Sequence, residues 1–337
     1  MNLVRAELER LSARRFVQLM LVLLVLAFAV TAATTLAGSH KPSVSELNSA
    51  RAQAAEARQS MEARHQECLA RQDGTIQPDP DDYLSTDCSE IDPIRQDRLP
   101  IAADFLPGVF SFAEQAESLL YFLIAFLVLF GFLVGASYIG ADLNSGGVVN
   151  LLLWRPRRMT VLATKLGTLL GTVLVLALLA SLAYLATFWV IGQTAGLPGR
   201  LNSDFWSSLG AVHGRGLVLV LLASTLGFAI ATLGRHTSAA LGAFAAYAVL
   251  WELGGRLVLE IIDARKSDLF MLSSHIGAWL NGGARFYDEQ LCRGNNYGSY
   301  CEGFYTLPWL PALLVLLGLT GGLTAAAFAV FRRRDLI

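Results

Sequence analysis

The hydrophobic residues of this chain fall into six long blocks that are separated by polar segments. Each block runs for about 20 residues or more, the length that a helix needs to cross a bilayer core of roughly 30 Å. Backbone groups inside a bilayer must be hydrogen-bonded internally, so we predict a helix for each block. The predicted spans are residues 16–36, 119–139, 161–191, 209–233, 239–262 and 308–331.

Composition agrees with this pattern, because 54% of the residues are hydrophobic and only 16% are charged. A membrane β-barrel would alternate apolar and polar residues over about ten positions, whereas these blocks are apolar throughout. We therefore predict an all-α polytopic membrane protein with six transmembrane helices.

The arginines and lysines near the predicted spans indicate the orientation, since such residues concentrate in cytoplasmic loops. Six crossings place all four basic clusters on one side, so we predict that both termini are cytoplasmic. The outer segments are then residues 37–118, 192–208 and 263–307. The four clusters are Arg5, Arg10, Arg14 and Arg15; Arg155, Arg157, Arg158 and Lys165; Arg235; and Arg332, Arg333 and Arg334.

The two ends of the chain carry further signals. Within residues 1–15, Val4, Leu8 and Leu11 share one helix face that is opposed by arginines, which predicts an amphipathic helix lying on the membrane. The first span is longer than the 7 to 15 apolar residues of a secretory signal, so we expect it to be a retained anchor. Residues 332–337 form a basic cytoplasmic tail.

The two large outer segments differ in their patterns. Residues 43–71 predict a helix, in which Ser43 and Glu46 fit an N-terminal capping box. The run 270–283 is apolar but too short to cross a bilayer. We therefore expect an interfacial or re-entrant segment before the sixth span.

All four cysteines lie in segments that the charge pattern assigns to the outside. An oxidising exterior favours disulfides, and proximity along the chain favours a pair within each segment. Other connectivities stay open, as does a reduced state in which the cysteines serve as small hydrophobic residues. No C-x-x-C pair or neighbouring His spacing occurs, so we predict no metal site. The favoured pairs are Cys68 with Cys88 and Cys292 with Cys301.

Residues 140–160, which we call the elbow, form an unusual polar stretch between the second and third spans. Gly146 and Gly147 permit a sharp bend. Residues 148–154 fit a short helix with an apolar face, and Pro156 ends it. The elbow arginines offer positive charge to an acidic partner, or alternatively they only set topology and contact anionic lipid head groups. They are Arg155, Arg157 and Arg158.

The chain resembles the permease subunits of type-2 ABC exporters over nearly its whole length. In that family an amphipathic N-terminal helix leads to six spans. The turn after the second span carries an acidic residue, Ser-Gly, and Pro-Arg shortly before a Lys, and the chain often ends in a basic cluster followed by Asp. Asp142 stands where Glu is commoner, and Gly147 where Thr is commoner. The matching residues are Asp142, Ser145, Gly146, Arg155, Pro156, Arg157, Arg158, Lys165 and the terminal FRRRDLI.

The resemblance implies a mechanism and a set of partners. A separate ABC ATPase would bind ATP and Mg²⁺, dock on the cytoplasmic face and drive export through the elbow. A second permease subunit, identical or paralogous, membrane lipid and a transported drug, lipid or peptide are the other implied partners, and nucleic acid is not. We expect a multi-pass protein of the bacterial cytoplasmic membrane. The implied coupling residues are Asp142, Ser145, Gly146, Gly147, Trp154, Arg155, Pro156, Arg157 and Arg158.

The sequence contains no ATPase motif of its own. The P-loop pattern G-x-x-x-x-G-K-[ST] is absent, and no Gly-Lys dipeptide occurs. H-E-x-x-H and G-x-S-x-G are absent as well, which removes the simplest hydrolase assignments. We therefore predict a transporter subunit that has no catalytic residues and no cofactor of its own.

The fifth predicted span carries a series of charges, Glu252, Arg256 and Glu260. In an α-helix this spacing of four stacks them on one face and favours a Glu252–Arg256 pair. They either line an exit path or form an internal salt bridge that fixes helix packing. An arginine within reach of each carboxylate argues against a proton-coupled carrier.

The second and third predicted spans carry the G-x-x-x-G pairs Gly131 with Gly135 and Gly167 with Gly171, which permit close approach of helices. Such pairs serve contacts within one subunit or between two, and both readings stay open.

Two other functions remain as alternatives to the transporter subunit. One is a polytopic membrane enzyme that acts on lipid, with Glu252 or His275 in a site facing the outer leaflet. The other is a non-transporting scaffold or sensor whose outer helix binds a partner.

Overall fold

The computed structural model describes residues 3–76, 88, 91–93, 99–147, 157–292 and 303–333. Within these residues the predicted six long apolar helices are confirmed, each long and apolar enough to cross a membrane. They are α2, α4, α5, α6, α7 and α9 of the following series. The helices are α1 (Leu3–Ser12), α2 (Arg15–Ala37), α3 (Val44–Gln72), α4 (Phe112–Asn144), α5 (Arg158–Ala195), α6 (Ser203–Gly234), α7 (Thr237–Ile261), α8 (Leu272–Asn281) and α9 (Trp309–Arg333).

Several of these helices are longer than the predicted spans, because hydropathy marks only the part that matches the hydrocarbon core. The start of α6 is an example, since it lies six residues before the predicted span 209–233. Asn202 caps this helix by accepting a hydrogen bond from the Phe205 N–H at 2.9 Å. At the other end Arg235 adopts a left-handed conformation, with φ of 58°, and ends the helix.

In the part of the chain that the structure describes, two short strand pairs accompany the helices, and the sequence patterns did not predict them. β1 (Phe110–Ser111) pairs in parallel with β2 (Gly196–Leu197). β3 (Gly283–Tyr287) pairs in antiparallel register with β4 (Phe304–Pro308). These strands are two to five residues long, too short for an alternating pattern to stand out from the flanking helices.

The chain divides into two compact units. The first contains Met1–Val30, Ala116–Leu185 and Asn202–Ile337, and the second contains Thr31–Gln115 and Ala186–Leu201.

The second unit is built around α3. The predicted capping box is present: Glu46 N–H donates to the Ser43 hydroxyl, and Ser43 N–H donates to the Glu46 carboxylate at 2.6 Å. The Ser43 backbone bond holds the pKa of Glu46 below its ordinary value. Ala50 packs with Leu106 in a small core beside this end of the helix.

A disulfide joins Cys68, near the C-terminal end of α3, to Cys88. This is the pairing that proximity along the chain favours. It links the last turns of the helix to the segment that follows. Cys292 of the first unit is also disulfide-bonded, and its predicted partner Cys301 lies outside the described residues.

Close backbone contact between α4 and α6 forms the centre of the first unit. A Cβ atom at Gly135 would overlap the Ser224 backbone, and one at Gly227 would overlap the Phe132 carbonyl. The pair Gly131 and Gly135 therefore serves a contact within the subunit. Gly167 and Gly171 of α5 have open space around them, with no atom within 4 Å of a Cβ at either position.

The short apolar run before the last span contains α8, which packs against α6 and α9. Ala278 and Trp279 of α8 are buried with Leu219 of α6 and Leu316 of α9. The depth of α8 in the membrane remains a prediction.

The fifth span differs from the expected regular α-helix. Residues Tyr247–Gly255 of α7 form a π-helix, in which hydrogen bonds join residues five apart. Ala240 is the only buried residue of α7, all of which the structure describes.

We expect Gly227→Ala to destabilise the protein by about 1 to 3 kcal/mol, because the added methyl must displace backbone atoms of α4. The matched control is Gly171→Ala, which meets no neighbour and removes the helix penalty of glycine. Thermal unfolding of the purified protein in detergent measures both. Equal melting temperatures for the two variants would contradict the close contact between α4 and α6.

Candidate functional site

The N-terminal helix α1 buries an acidic residue. Glu7 and Leu11, one turn apart, are each only 1% exposed, whereas Val4 and Leu8 are exposed. That α1 lies on the membrane stays a prediction, but Leu11 turns inward with Glu7 and does not share the exposure of Val4 and Leu8. The reason is that partners on other helices neutralise the Glu7 carboxylate.

Lys165 is the central partner of Glu7. Its ammonium lies 2.6 Å from Glu7 Oε2 and 2.7 Å from Asp142 Oδ2, and its side chain is 1% exposed. Lys165 is in the second turn of α5, and Asp142 is in the last turn of α4. One cation thus joins α1, α4 and α5.

Arg14 and Tyr138 complete this group. Arg14 forms an ion pair with Asp142 and donates to the Ser137 carbonyl at 3.0 Å. The Tyr138 hydroxyl donates to Glu7 Oε2 at 2.5 Å. The Lys165 ammonium lies 4.8 Å from the centre of the Tyr138 ring, within range of a cation–π contact. We call Glu7, Arg14, Tyr138, Asp142 and Lys165 the charge cluster.

The charges of this cluster balance. Two carboxylates face an ammonium and a guanidinium, and every one of these groups has an opposite charge in hydrogen-bonding range. A buried ion without a partner costs several kcal/mol, so the four groups depend on one another. Removing one upsets this balance, and removing Lys165 also breaks both ion pairs that join α1 and α4 to α5.

A cavity of about 430 Å³ lies beside the charge cluster. Arg10 stands at this cavity with a side chain that is 51% exposed, 3.5 Å from the second oxygen of Glu7. Because the cluster itself is neutral, Arg10 gives the cavity a surplus positive charge. The described lining residues are Arg10, Ala13, Arg14, Asp142 and Gly147.

The charge cluster lies directly beside the elbow. After α4 ends at Asn144, Gly146 adopts a left-handed φ of 72°, which a residue with a side chain adopts only with strain. Ser145 and Arg157 are exposed, and Arg158 begins α5. The predicted residues Trp154, Arg155 and Pro156 lie outside the described part of the chain.

The sequence pattern of the ABC-2 family transporter proteins matches residues 1–336 of this chain. The chain belongs to the ABC-2 transporter family. Searches of the curated proteins and of the solved structures each found no match. The protein is therefore a multi-pass membrane component of an ABC transporter, and its family lacks an ATPase of its own and implies an ABC ATPase partner.

The charges in α7 of this ABC-2 protein have different partners from those that the sequence predicted. The Glu252–Arg256 pair does not form, because the π-helix replaces the spacing of four by a spacing of five. Glu252 instead accepts hydrogen bonds from Tyr247 and Ser273. Arg256 lies 3.5 Å from Asp268, and Glu260 is exposed without a side-chain partner among the described residues.

His275, a residue of the alternative enzyme hypothesis, is buried in α8. Its Nδ1 lies 2.9 Å from the Met271 carbonyl, one turn back in the same helix. Glu252 meets the start of α8 at Ser273, and no hydrogen bond joins it to His275 among the described residues. No group of His, Cys, Asp and Glu that could hold a metal ion occurs in the described ranges.

Sequence reasoning found Asp142 and Lys165 but missed Glu7, Arg14 and Tyr138 as a group. A signal was present, because Lys165 is the only charged residue between Arg158 and Arg200. A lone cation at the start of an apolar span requires an acidic partner. The N-terminal segment offers two such residues, Glu7 and Glu9, and Glu7 is the one on the same helix face as Leu11.

We expect Lys165→Met to lower the free energy of unfolding by about 3 to 5 kcal/mol, since it removes the nearest cation of the buried Glu7 carboxylate and leaves the cluster with excess negative charge. The matched control is Arg5→Met, which removes an exposed pair with Glu9 that contributes about 0 to 1 kcal/mol. Denaturation in detergent with both variants tests this. A loss for Lys165→Met no larger than for Arg5→Met would contradict the charge cluster.

Proposed function

We propose that this ABC-2 protein is the permease subunit of an exporter and that its charge cluster carries the movement of the ATPase partner into the membrane. ATP and Mg²⁺ bind in the partner, and the force enters at the elbow. The observation that carries this proposal is the buried network of Glu7, Asp142 and Lys165, which joins the helices on both sides of the elbow to α1.

The position of Asp142 and Lys165 supports this role. They lie on the two helices that flank the elbow, and the same ammonium binds both Asp142 and the N-terminal helix. A displacement of the elbow therefore acts on the end of α4 and the start of α5, which the Lys165 ammonium already joins. Because short charge-assisted bonds hold the junction, the ends move as one group instead of bending independently.

The cavity beside Arg10 supports contact with a soluble partner in addition to lipid. At 3.6 residues per turn, Arg10 and the exposed Leu8 are about 200° apart around α1. If Leu8 and Val4 face the membrane, Arg10 faces the aqueous side. The exposed Arg157 then adds positive charge at the neighbouring elbow, and together they favour an acidic surface on the ATPase.

The proposed complex contains two permease subunits, identical or paralogous, and two ATPase subunits. The substrate leaves the cytoplasm across the plasma membrane. A drug, a lipid or a peptide fits this function equally, since the described residues include no site that selects among them.

We expect Arg157→Glu combined with Arg158→Glu to reduce the ATP hydrolysis of the complex by about tenfold or more, because reversed charges repel an acidic ATPase surface. Co-purification with the co-expressed ABC ATPase and its hydrolysis rate measure the effect.

The matched control is Arg332→Glu combined with Arg333→Glu, which makes the same charge change in the basic tail. If both double variants assemble and hydrolyse ATP like the wild type, the elbow does not bind the partner. If both lose activity equally, the arginines act through topology or lipid instead.

A further inference from the structure

The short helix α8 is held at its C-terminal end by the core of the first unit. The Trp279 indole donates to the Arg215 carbonyl of α6 at 2.9 Å, and the Arg215 guanidinium donates to the Leu280 carbonyl at 3.2 Å. Tyr121 of α4 donates to the Asn281 side chain at 2.7 Å. Two helices that pack closely on each other therefore fix this end.

The N-terminal end of α8 is held by α7 instead. Ser273 N–H donates to Glu252 Oε1 at 3.0 Å, and Leu272 N–H donates to the Tyr247 hydroxyl at 3.1 Å. The same hydroxyl donates to Glu252 Oε2 at 2.6 Å. We call this arrangement of Tyr247 and Glu252 on the first two N–H groups of α8 the clasp.

The clasp replaces a cap that α8 lacks. Its N-cap residue, Met271, has no side-chain hydrogen bond to the first turn. The free N–H groups of a helix start need acceptors, and a carboxylate is favoured there by the helix dipole. Glu252 and Tyr247 supply these acceptors from another helix, so α8 loses its cap whenever α7 moves away.

The π-helical segment of α7 builds the clasp. Tyr247 and Glu252 are five residues apart, the spacing of hydrogen bonds in a π-helix, and so they lie on one face. In an α-helix a spacing of five turns the two side chains about 140° apart. Conversion of Tyr247–Gly255 to α-helix would therefore separate the hydroxyl from the carboxylate.

The connection between α7 and α8 is under strain. Asp263 and Lys266 both adopt left-handed backbone conformations, with φ of 51° and 52°. Such conformations are unfavourable for residues that have a side chain. Since α7 buries only Ala240, little apolar packing holds it against this strain.

We propose that the clasp is a latch: when the π-helical segment of α7 converts to α-helix, α8 is released at its N-terminal end and swings on its hinge at Arg215. In the predicted orientation α8 lies on the outer side, so the swing opens an outward path. The moment of opening within a transport cycle rests on the proposed exporter function, but the latch itself does not.

Hydrogen exchange on the purified full chain in detergent tests the latch without any partner. Glu252→Ala removes a charge-assisted bond, so the amides of Leu272 and Ser273 should exchange about tenfold faster or more. Tyr247→Phe removes a neutral hydroxyl and should give about a fivefold increase. Glu260→Ala is the matched control, because its carboxylate has no side-chain partner among the described residues, and it should change nothing.

The far end of α8 supplies an internal reference. Exchange at Leu280 and Asn281 should keep its wild-type rate in both clasp variants, because the hinge contacts of Arg215 and Tyr121 remain. Faster exchange at both ends would mean that α8 unfolds as a whole, and unchanged exchange at Leu272 and Ser273 would mean that the clasp holds nothing. Either result overturns the latch.

A second measurement separates the latch from mere packing. In the complex with the co-expressed ATPase, Tyr247→Phe should leave assembly intact. It should change the ratio of the ATP hydrolysis rates measured with and without vanadate, which inhibits the ATPase by trapping nucleotide. Glu260→Ala should leave this ratio unchanged. Unchanged ratios together with faster exchange would contradict the place of the latch in the transport cycle, while the exchange result would still support release of α8. If the wild-type chain binds no ATPase, the exporter proposal fails while the exchange result still decides the latch.

Discussion

The burial of the Lys165 ammonium is the constraint on which the cytoplasmic half of the proposed mechanism depends. A cation that is 1% exposed must be neutralised by groups in direct contact with it. The two carboxylates that do so, Glu7 and Asp142, come from different helices. The middle of α1, the end of α4 and the start of α5 are consequently joined at one point. Whatever displaces the elbow acts on all three helices at once, and Arg14 extends the tie through Asp142 to the start of α2.

The charge cluster and the clasp, both in the first unit, are held by different kinds of polar contact. At the charge cluster every ion has an ionic partner, which makes the junction stiff. At the clasp the Glu252 carboxylate accepts from one N–H and one hydroxyl, and that hydroxyl accepts from a second N–H. Both acceptors belong to α7, which buries only Ala240. The first arrangement resists change, whereas the second is stable only while α7 keeps its π-helical register. In the proposed exporter, the charge cluster would transmit the movement of the ATPase and the clasp would let a path open.

The sequence predicted the six long helices because their apolar length is a direct consequence of bilayer thickness. It also predicted the capping box of α3, since Ser43 and Glu46 interact locally. It missed what depends on distant contacts or on backbone register: Glu7 turns inward toward Lys165, and the π-helix of α7 moves Glu252 away from Arg256. Patterns based on 3.6 residues per turn carry no signal for such a local change of period.

The glycines between α4 and α6 have a mechanical consequence. With Gly135 set against the Ser224 backbone and Gly227 against Phe132, the two helices interlock at the level of the main chain and leave no space for sliding. They form one rigid pair of helices. Asp142, which binds Lys165, lies at one end of this pair, and Arg215, which contacts α8, lies at the other. A tilt of this pair at the Asp142 end therefore moves the contacts of Arg215 with α8 as well.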